Sequence, residues 1–238
     1  MNQDDKKTDA SPASKDAGKR SEPKAASKPM GGMKVRTQLA SVLHWTDRFS
    51  QSLVGVYDRV FTLKKEDEAA IYLDVGVDCA TAGKSATAAE ALEKSLKLQP
   101  NNKEAWFHLG KVRSASRDFA GAIAAFEKAK GLGNDSFDFH FAYAEALSDR
   151  DDLPGCVTEL RAAVAIKSDA AEAFYRLGVA LDKLKQYEES VVAFQKAIEI
   201  SPREANYYQS MGFTFDTMGQ HEKAVGCFKR AVELERRK

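Results

Sequence analysis

Two near-copies, "EAWFHLG" at 104–110 and "EAFYRLG" at 172–178, place Leu109-Gly110 and Leu177-Gly178 68 residues apart. Half of that distance is the feature that most restricts the fold. Stepping by 34 residues from these pairs meets Tyr143-Ala144 between them, Val75-Gly76 before them and Met211-Gly212 after them. Five copies therefore start at Ala69, Lys103, Phe137, Ala171 and Ala205 without an insertion. A unit of this length is one supersecondary element. It cannot bury an apolar face alone, so the units must stack on one another.

The aligned columns predict the shape of the unit. Position 8 is small throughout (Gly76, Gly110, Ala144, Gly178, Gly212), as are position 20 (Ala88, Ala122, Cys156, Ser190, Ala224) and position 27 (Ser95, Ala129, Ala163, Ala197, Ala231). Position 24 is large and apolar: Leu92, Phe126, Leu160, Phe194, Phe228. This pattern predicts two antiparallel helices joined by a turn near positions 14–17. Small position 8 admits the second helix at small position 20, and the large residue at 24 fills the space beside that contact. Pro100 and Pro202, at position 32, predict where the second helix stops.

The columns resemble those of the tetratricopeptide repeat, whose period is about 34 residues. The resemblance covers 69–238, divided as 69–102, 103–136, 137–170, 171–204 and 205–238. It implies an all-α, right-handed solenoid of helix-turn-helix repeats. The third copy departs from the pattern, with His140 where Trp106, Phe174 and Tyr208 stand in others.

Two segments precede the repeats. Residues 1–32 contain no Leu, Ile, Val, Phe, Tyr or Trp, so they cannot bury enough apolar surface to offset ordering and are expected to be a disordered Lys/Ala/Ser-rich tail. Residues 33–68 carry Val35, Leu39, Val42, Phe49, Leu53, Val56 and Val60 at helical steps. They predict an amphipathic helical segment, broken near Ser50 or Gly55, that serves as a cap or a degenerate repeat. "KKEDE" at 64–68 reads as a polar connector.

Several function classes receive no support. The formal net charge is +1, which gives no electrostatic footprint for nucleic acid. There is no run of about 18 apolar residues and no apolar core near the N-terminus. Together with three widely spaced cysteines, Cys79, Cys156 and Cys227, this predicts a cytoplasmic protein with reduced thiols. No HExxH, phosphate-binding loop or zinc-type cysteine pair occurs. The four histidines are dispersed. His140 falls in an aromatic core column, and His221 in a turn column shared with Phe119, Leu153 and Tyr187, so both are expected to pack. Neither catalysis nor a cofactor or metal is expected.

The resemblance implies that the first helices line a concave groove that binds a protein or peptide. Position 5 supplies Leu73, Phe107, Phe141, Tyr175 and Gln209. Position 9 supplies Val77, Lys111, Glu145, Val179 and Phe213. His108 and Arg176 come from position 6, and Glu104, Asp138 and Glu172 from position 2. A clamp for acidic chaperone tails is not expected, because Phe107, Lys111, Ala142, Glu172 and Arg176 occupy its places and only Arg176 suits it.

Within the family, "YRLGVALDKLKQYEESVVAFQKAIEISP" and "TMGQHEKAVGCFKRAVELE" resemble the last two repeats of magnetosome-associated scaffolds. That likeness implies a peripheral coat on the magnetosome membrane that self-assembles into a homo-oligomer and recruits other proteins. Self-assembly is expected through Val35, Leu39, Val42, Phe49, Leu53 and Val60, and through Phe228 and Val232 on the last helix. The segment 33–68 either caps its own solenoid or inserts into a neighbour. The alternative is a secretion-type or assembly chaperone that shields a client peptide in the groove.

Overall fold

The computed structural model describes residues 64–236. The tail and residues 33–63, including Val35, Leu39, Val42, Phe49, Leu53 and Val60, lie outside the described residues. Within them are ten helices: α1 (Lys65–Thr81), α2 (Ser85–Leu98), α3 (Lys103–Ala115), α4 (Phe119–Gly131), α5 (Phe137–Asp149), α6 (Leu153–Ile166), α7 (Ala171–Lys183), α8 (Tyr187–Ile200), α9 (Ala205–Thr217) and α10 (His221–Glu235). The helices pair in sequence as hairpins.

Helix starts follow local chemistry. Asn102, Asp118, Ser136 and Asp152 each accept a bond from the backbone N–H three residues on. Such a cap contributes about 1 kcal/mol. "KKEDE" is not a connector. Lys65–Glu68 form the first turn of α1, because Glu66, Asp67 and Glu68 favour the positive end of a helix dipole. The helix stop proves independent of proline. The second helices end at position 30 after Leu98 and Ile200, where proline follows two residues later, and equally after Ile166, where none does.

The turn inside each hairpin is set at position 15, whose residue is left-handed in every copy: Gly83, Arg117, Asp151, Lys185 and Gly219, with φ between 61° and 75°. Three of these are not glycine and accept a conformation that disfavours a Cβ.

Position 8 makes its contact differently from the expectation. A Cβ on Gly110, Gly178 or Gly212 would lie 2.6–2.7 Å from the ring of Phe126, Phe194 or Phe228 respectively, and on Gly76 2.6 Å from Leu92. The glycine thus makes room chiefly for the side chain at position 24. The backbones still approach closely, as the Ser190 hydroxyl donates to the Gly178 carbonyl at 2.8 Å.

Among the described residues each helix packs mainly on its chain neighbours. The first helices also approach one another, α1 with α3, α3 with α5 and α7 with α9, whereas no comparable approach joins two second helices. A stack held closer on one side curves toward that side, so the first helices form its inner face. The core runs along the stack. Its central part joins Phe126, Phe139, Tyr143, Leu147, Leu160 and Leu181 from the second to fourth repeats.

Candidate functional site

The inner face opens into two adjoining cavities. One, of about 270 Å³, lies between α5 and α7 and is lined by Glu145, Ser148, Cys156, Tyr175, Arg176, Val179 and Lys183 among others. The second, of about 360 Å³, lies between α3 and α5 with Lys111, Ser114, Asp149 and Phe126, and shares Glu145, Ser148 and Arg176 with the first. Both fall where positions 5, 6 and 9 of neighbouring first helices face each other.

Arg176 is the hub. Its Nη1 lies 3.0 Å from Glu145 Oε1, and its Nε donates to Glu172 Oε1 at 2.8 Å. The guanidinium also sits over the Phe141 ring, 5.2 Å from the centroid. Its charge is therefore committed to two carboxylates of the protein, which adds a second reason against an acidic-tail clamp. The Tyr207 hydroxyl donates to Glu172 Oε2 at 3.4 Å, and the Tyr207 ring stacks on Tyr175 at 4.8 Å. Burial, followed by Glu172, pushes the Tyr207 phenol up to about 12. Burial also raises the Glu145 carboxyl against the opposing pull of Arg176.

The predicted groove residues separate into groups. Lys111, Glu145, Tyr175, Arg176 and Val179 share the two cavities. Phe141 lies beneath Arg176 and stacks on Phe137 at 5.7 Å. Phe107 is half-buried, with ring centroids 6.3 Å from Phe126 and 6.2 Å from Phe139, so it serves the core as well as the groove. Lys111 Nζ rests 5.5 Å above its centroid. His108 is half-buried beside it, its pKa lowered by burial and then by Lys111. Leu73 packs with the core of the first two repeats. Phe213 is 58% exposed on α9 and meets Phe228 edge-on at 5.1 Å. Ser148 and Lys183 were missed by the sequence reading. They sit at positions 12 and 13, one helical turn beyond position 9, and extending the same face would have found them.

Phe228 and Val232 lie on α10. Val232 is 45% exposed, and both line a surface cavity of about 460 Å³ together with Val225 and Arg236. His140 is buried, as expected. His221 is not: its side chain is 74% exposed and Nδ1 lies 2.7 Å from Asp216 Oδ1. The residues sharing its column, Phe119, Leu153 and Tyr187, are half-buried. The three cysteines are buried, and among the described residues they form no disulfide. Burial pushes the Cys156 thiol up to about 11. Among the described residues no cluster of His, Cys, Asp and Glu could hold a metal ion, and no helix is long and apolar enough to cross a membrane.

Paired helices, the 34-residue columns and an inner face with clefts define a repeat protein that works by binding. Tetratricopeptide repeat models match residues 73–138, 171–204 and 205–238, and the chain belongs to the tetratricopeptide repeat family. Among solved structures it is similar to a crystal structure of MamA, at 30% identity over 70% of this chain and 97% of that one, with a TM-score of 0.66. It is similar also to residues 41 to the end of MamA from Desulfovibrio magneticus RS-1, at 27% identity over 74% and 99%, with a TM-score of 0.69. YrrB, described as a tetratricopeptide repeat protein with an unusual peptide-binding site, shares the fold at 20% identity over 76% and 91%, with a TM-score of 0.69. No curated protein matches the chain.

Proposed function

We propose that this protein is a non-catalytic scaffold that recruits protein partners through its inner groove and assembles with copies of itself as a coat at the magnetosome membrane. The observation that carries the groove reading is the pair of adjoining clefts around Arg176, where aromatic surface from Phe141 and Tyr175 lies beside paired charges. An amphipathic helix or extended segment suits such a surface, since the rings offer apolar area and the carboxylates and cations fix polarity. The likeness to MamA supports the magnetosome reading and the homo-oligomer. Self-assembly would use residues 35–60 and the α10 surface around Phe228 and Val232.

Two measurements test this reading. Light scattering on the full chain should give large particles, and removal of residues 1–60 should reduce them to a small species. A full chain that is monomeric, or a small oligomer carrying one client per chain, would instead favour the chaperone reading. For the groove, Phe141→Ser combined with Lys111→Glu should abolish capture of partners from a magnetosome membrane fraction while far-UV circular dichroism is unchanged. Phe107 is spared because its ring also serves the core. Undiminished capture by the double variant would place recognition elsewhere.

A further inference from the structure

Position 4 ties the first helix of a repeat to the linker before it. In the second repeat Trp106 Nε1 donates to the Pro100 carbonyl at 2.8 Å, and in the fifth the Tyr208 hydroxyl donates to the Pro202 carbonyl at 3.3 Å. Both are neutral bonds to backbone and carry no charge to titrate. The third repeat has His140 at this position and makes its tie with charged groups. His140 Nε2 lies 2.7 Å from Asp135 Oδ1 in the linker, and Nδ1 lies 2.7 Å from Glu159 Oε2 on α6. Glu159 Oε1 in turn accepts from Lys130 Nζ of α4 at 2.6 Å. The His140 and Glu159 side chains are buried, whereas that of Asp135 is 82% exposed. One line of four ionisable groups thus crosses from the second repeat into the third.

Donor counting limits how this line can be protonated. A neutral imidazole has a single N–H donor, and an ionised carboxylate only accepts. Carboxylates at 2.7 Å on both nitrogens are satisfied together by a ring that carries both protons. When the ring loses one, one contact sets lone pair against lone pair. The remaining N–H belongs with Glu159, because a buried carboxylate deprived of a donor costs far more than an exposed one returned to water. Asp135 is therefore the contact released. Other charged groups near the seam are Lys103 of α3, which donates to the linker at Gly133, and Glu127 of α4 with Arg150 and Asp152 of the turn after α5, which act on Tyr143. Lys130 also lies over the Tyr143 ring at 6.0 Å. Histidine is the one side-chain type among all of these that changes charge in the neutral range.

Besides Asp135, the linker is held by Lys103 Nζ, which donates to the Gly133 carbonyl at 3.2 Å, and by the Ser136 hydroxyl on Asn134 Oδ1 at 3.3 Å. Gly133 adopts φ +78°, position 32 is Asn134 where the first and fourth repeats have proline, and α4 against α5 is the sparsest of the four contacts between repeats. We propose that His140, with Asp135, Glu159 and Lys130, is a proton-operated clasp on the seam between the second and third repeats. It is closed while the ring carries both protons and open at the linker when it carries one. The clasp is thus engaged on the acid side of the ring's titration and lost on the alkaline side.

Hydrogen exchange followed by mass spectrometry on the full chain tests it, with rates corrected for intrinsic chemistry. Peptides spanning 131–140 are compared with those spanning the linker at 167–171, at about pH 5.5 and about pH 8.5. Protection at 131–140 should fall about three- to fivefold relative to the second linker on going to the higher pH, the range set by one partly exposed ion pair. Asp135→Ala removes an exposed side chain together with any donor or acceptor on it; it should show the low protection at both pH values. His140→Tyr, which restores an aromatic residue to its column, should remove the pH response. Equal responses of the two linkers, or an Asp135→Ala chain that responds to pH as the parent does, would overturn the proposal.

Discussion

Gly178→Ala sets two effects of known size against each other. A Cβ at 178 would stand 2.6, 2.7 and 3.0 Å from Cε1, Cδ1 and Cγ of Phe194, whose side chain is 1% exposed. In a helix interior alanine is favoured over glycine by about 1 kcal/mol. Against this, the methyl needs the ring to retreat by most of an ångström. Tyr175 packs on the other side with ring centroids 5.8 Å apart, and itself stacks on Tyr207. Forcing a close-packed interior in this way costs about 1–3 kcal/mol. Gly178→Ala should therefore destabilise by up to about 2 kcal/mol net. Gly226 provides the control, because it lies inside α10 and a Cβ there would meet nothing within 4 Å. Only the first effect applies, so Gly226→Ala should stabilise by about 1 kcal/mol. Gly212→Ala should fall between, since its neighbour Phe228 is only half-buried and has room to move. Urea midpoints read by far-UV circular dichroism at a common slope give the comparison. If Gly178→Ala matches Gly226→Ala, or stabilises at all, the reading of position 8 as room for the position-24 ring is wrong.

Three further outcomes follow from local geometry and charge. Lys185 holds φ +61° where Gly83 and Gly219 stand in other copies, so Lys185→Gly should raise the denaturation midpoint by about 0.5–1 kcal/mol, and Gly219→Ala should lower it by about 1 kcal/mol. Burial and Lys111 depress the His108 pKa, so the unfolded chain binds the proton more readily and stability should fall as pH drops through the usual imidazole range toward the depressed value; a His108→Gln chain should show a shallower slope in pH-dependent melts. With its thiol pushed up to about 11 by burial, Cys156 should resist a thiol-specific reagent near neutral pH until denaturant is added, and a native rate equal to that of a free cysteine would refute the burial.

The period was legible because it is written in residue size, and size is what neighbouring helices read. Leu109-Gly110 and Leu177-Gly178 located hairpins, the small columns located their contacts, and first-helix starts from Lys103 onward fall at position 1. Several features were not legible, because they depend on partners distant in sequence. Nothing in "YRLG" shows that Arg176 is held by Glu145 from the preceding repeat, or in "DFHF" that His140 reaches a carboxylate 19 residues away. Phe107 looked like a groove residue by its column, yet the neighbouring Phe139 draws its ring partly into the core. His221 misled in the opposite direction, since its side chain turns outward to Asp216. The left-handed turns at Arg117, Asp151 and Lys185 were hidden as well, because the backbone bonds that close each hairpin, such as Asp118 N–H to the Arg113 carbonyl, set that conformation without a glycine.

Units joined in series do not average out a rotation at one junction; they carry it to the far end. The sparse seam at Gly133 divides the inner face, with the Phe107 ring before it and the Phe141 ring after it. A tilt there too small to part Phe107 from Phe139 alters the spacing of those rings and sweeps the fifth repeat through an arc that grows with its distance from the seam. On the proposed function, the shape that a ligand must match is therefore held partly in one backbone turn, and a change at Gly133, which need touch no ligand, would retune what the groove accepts.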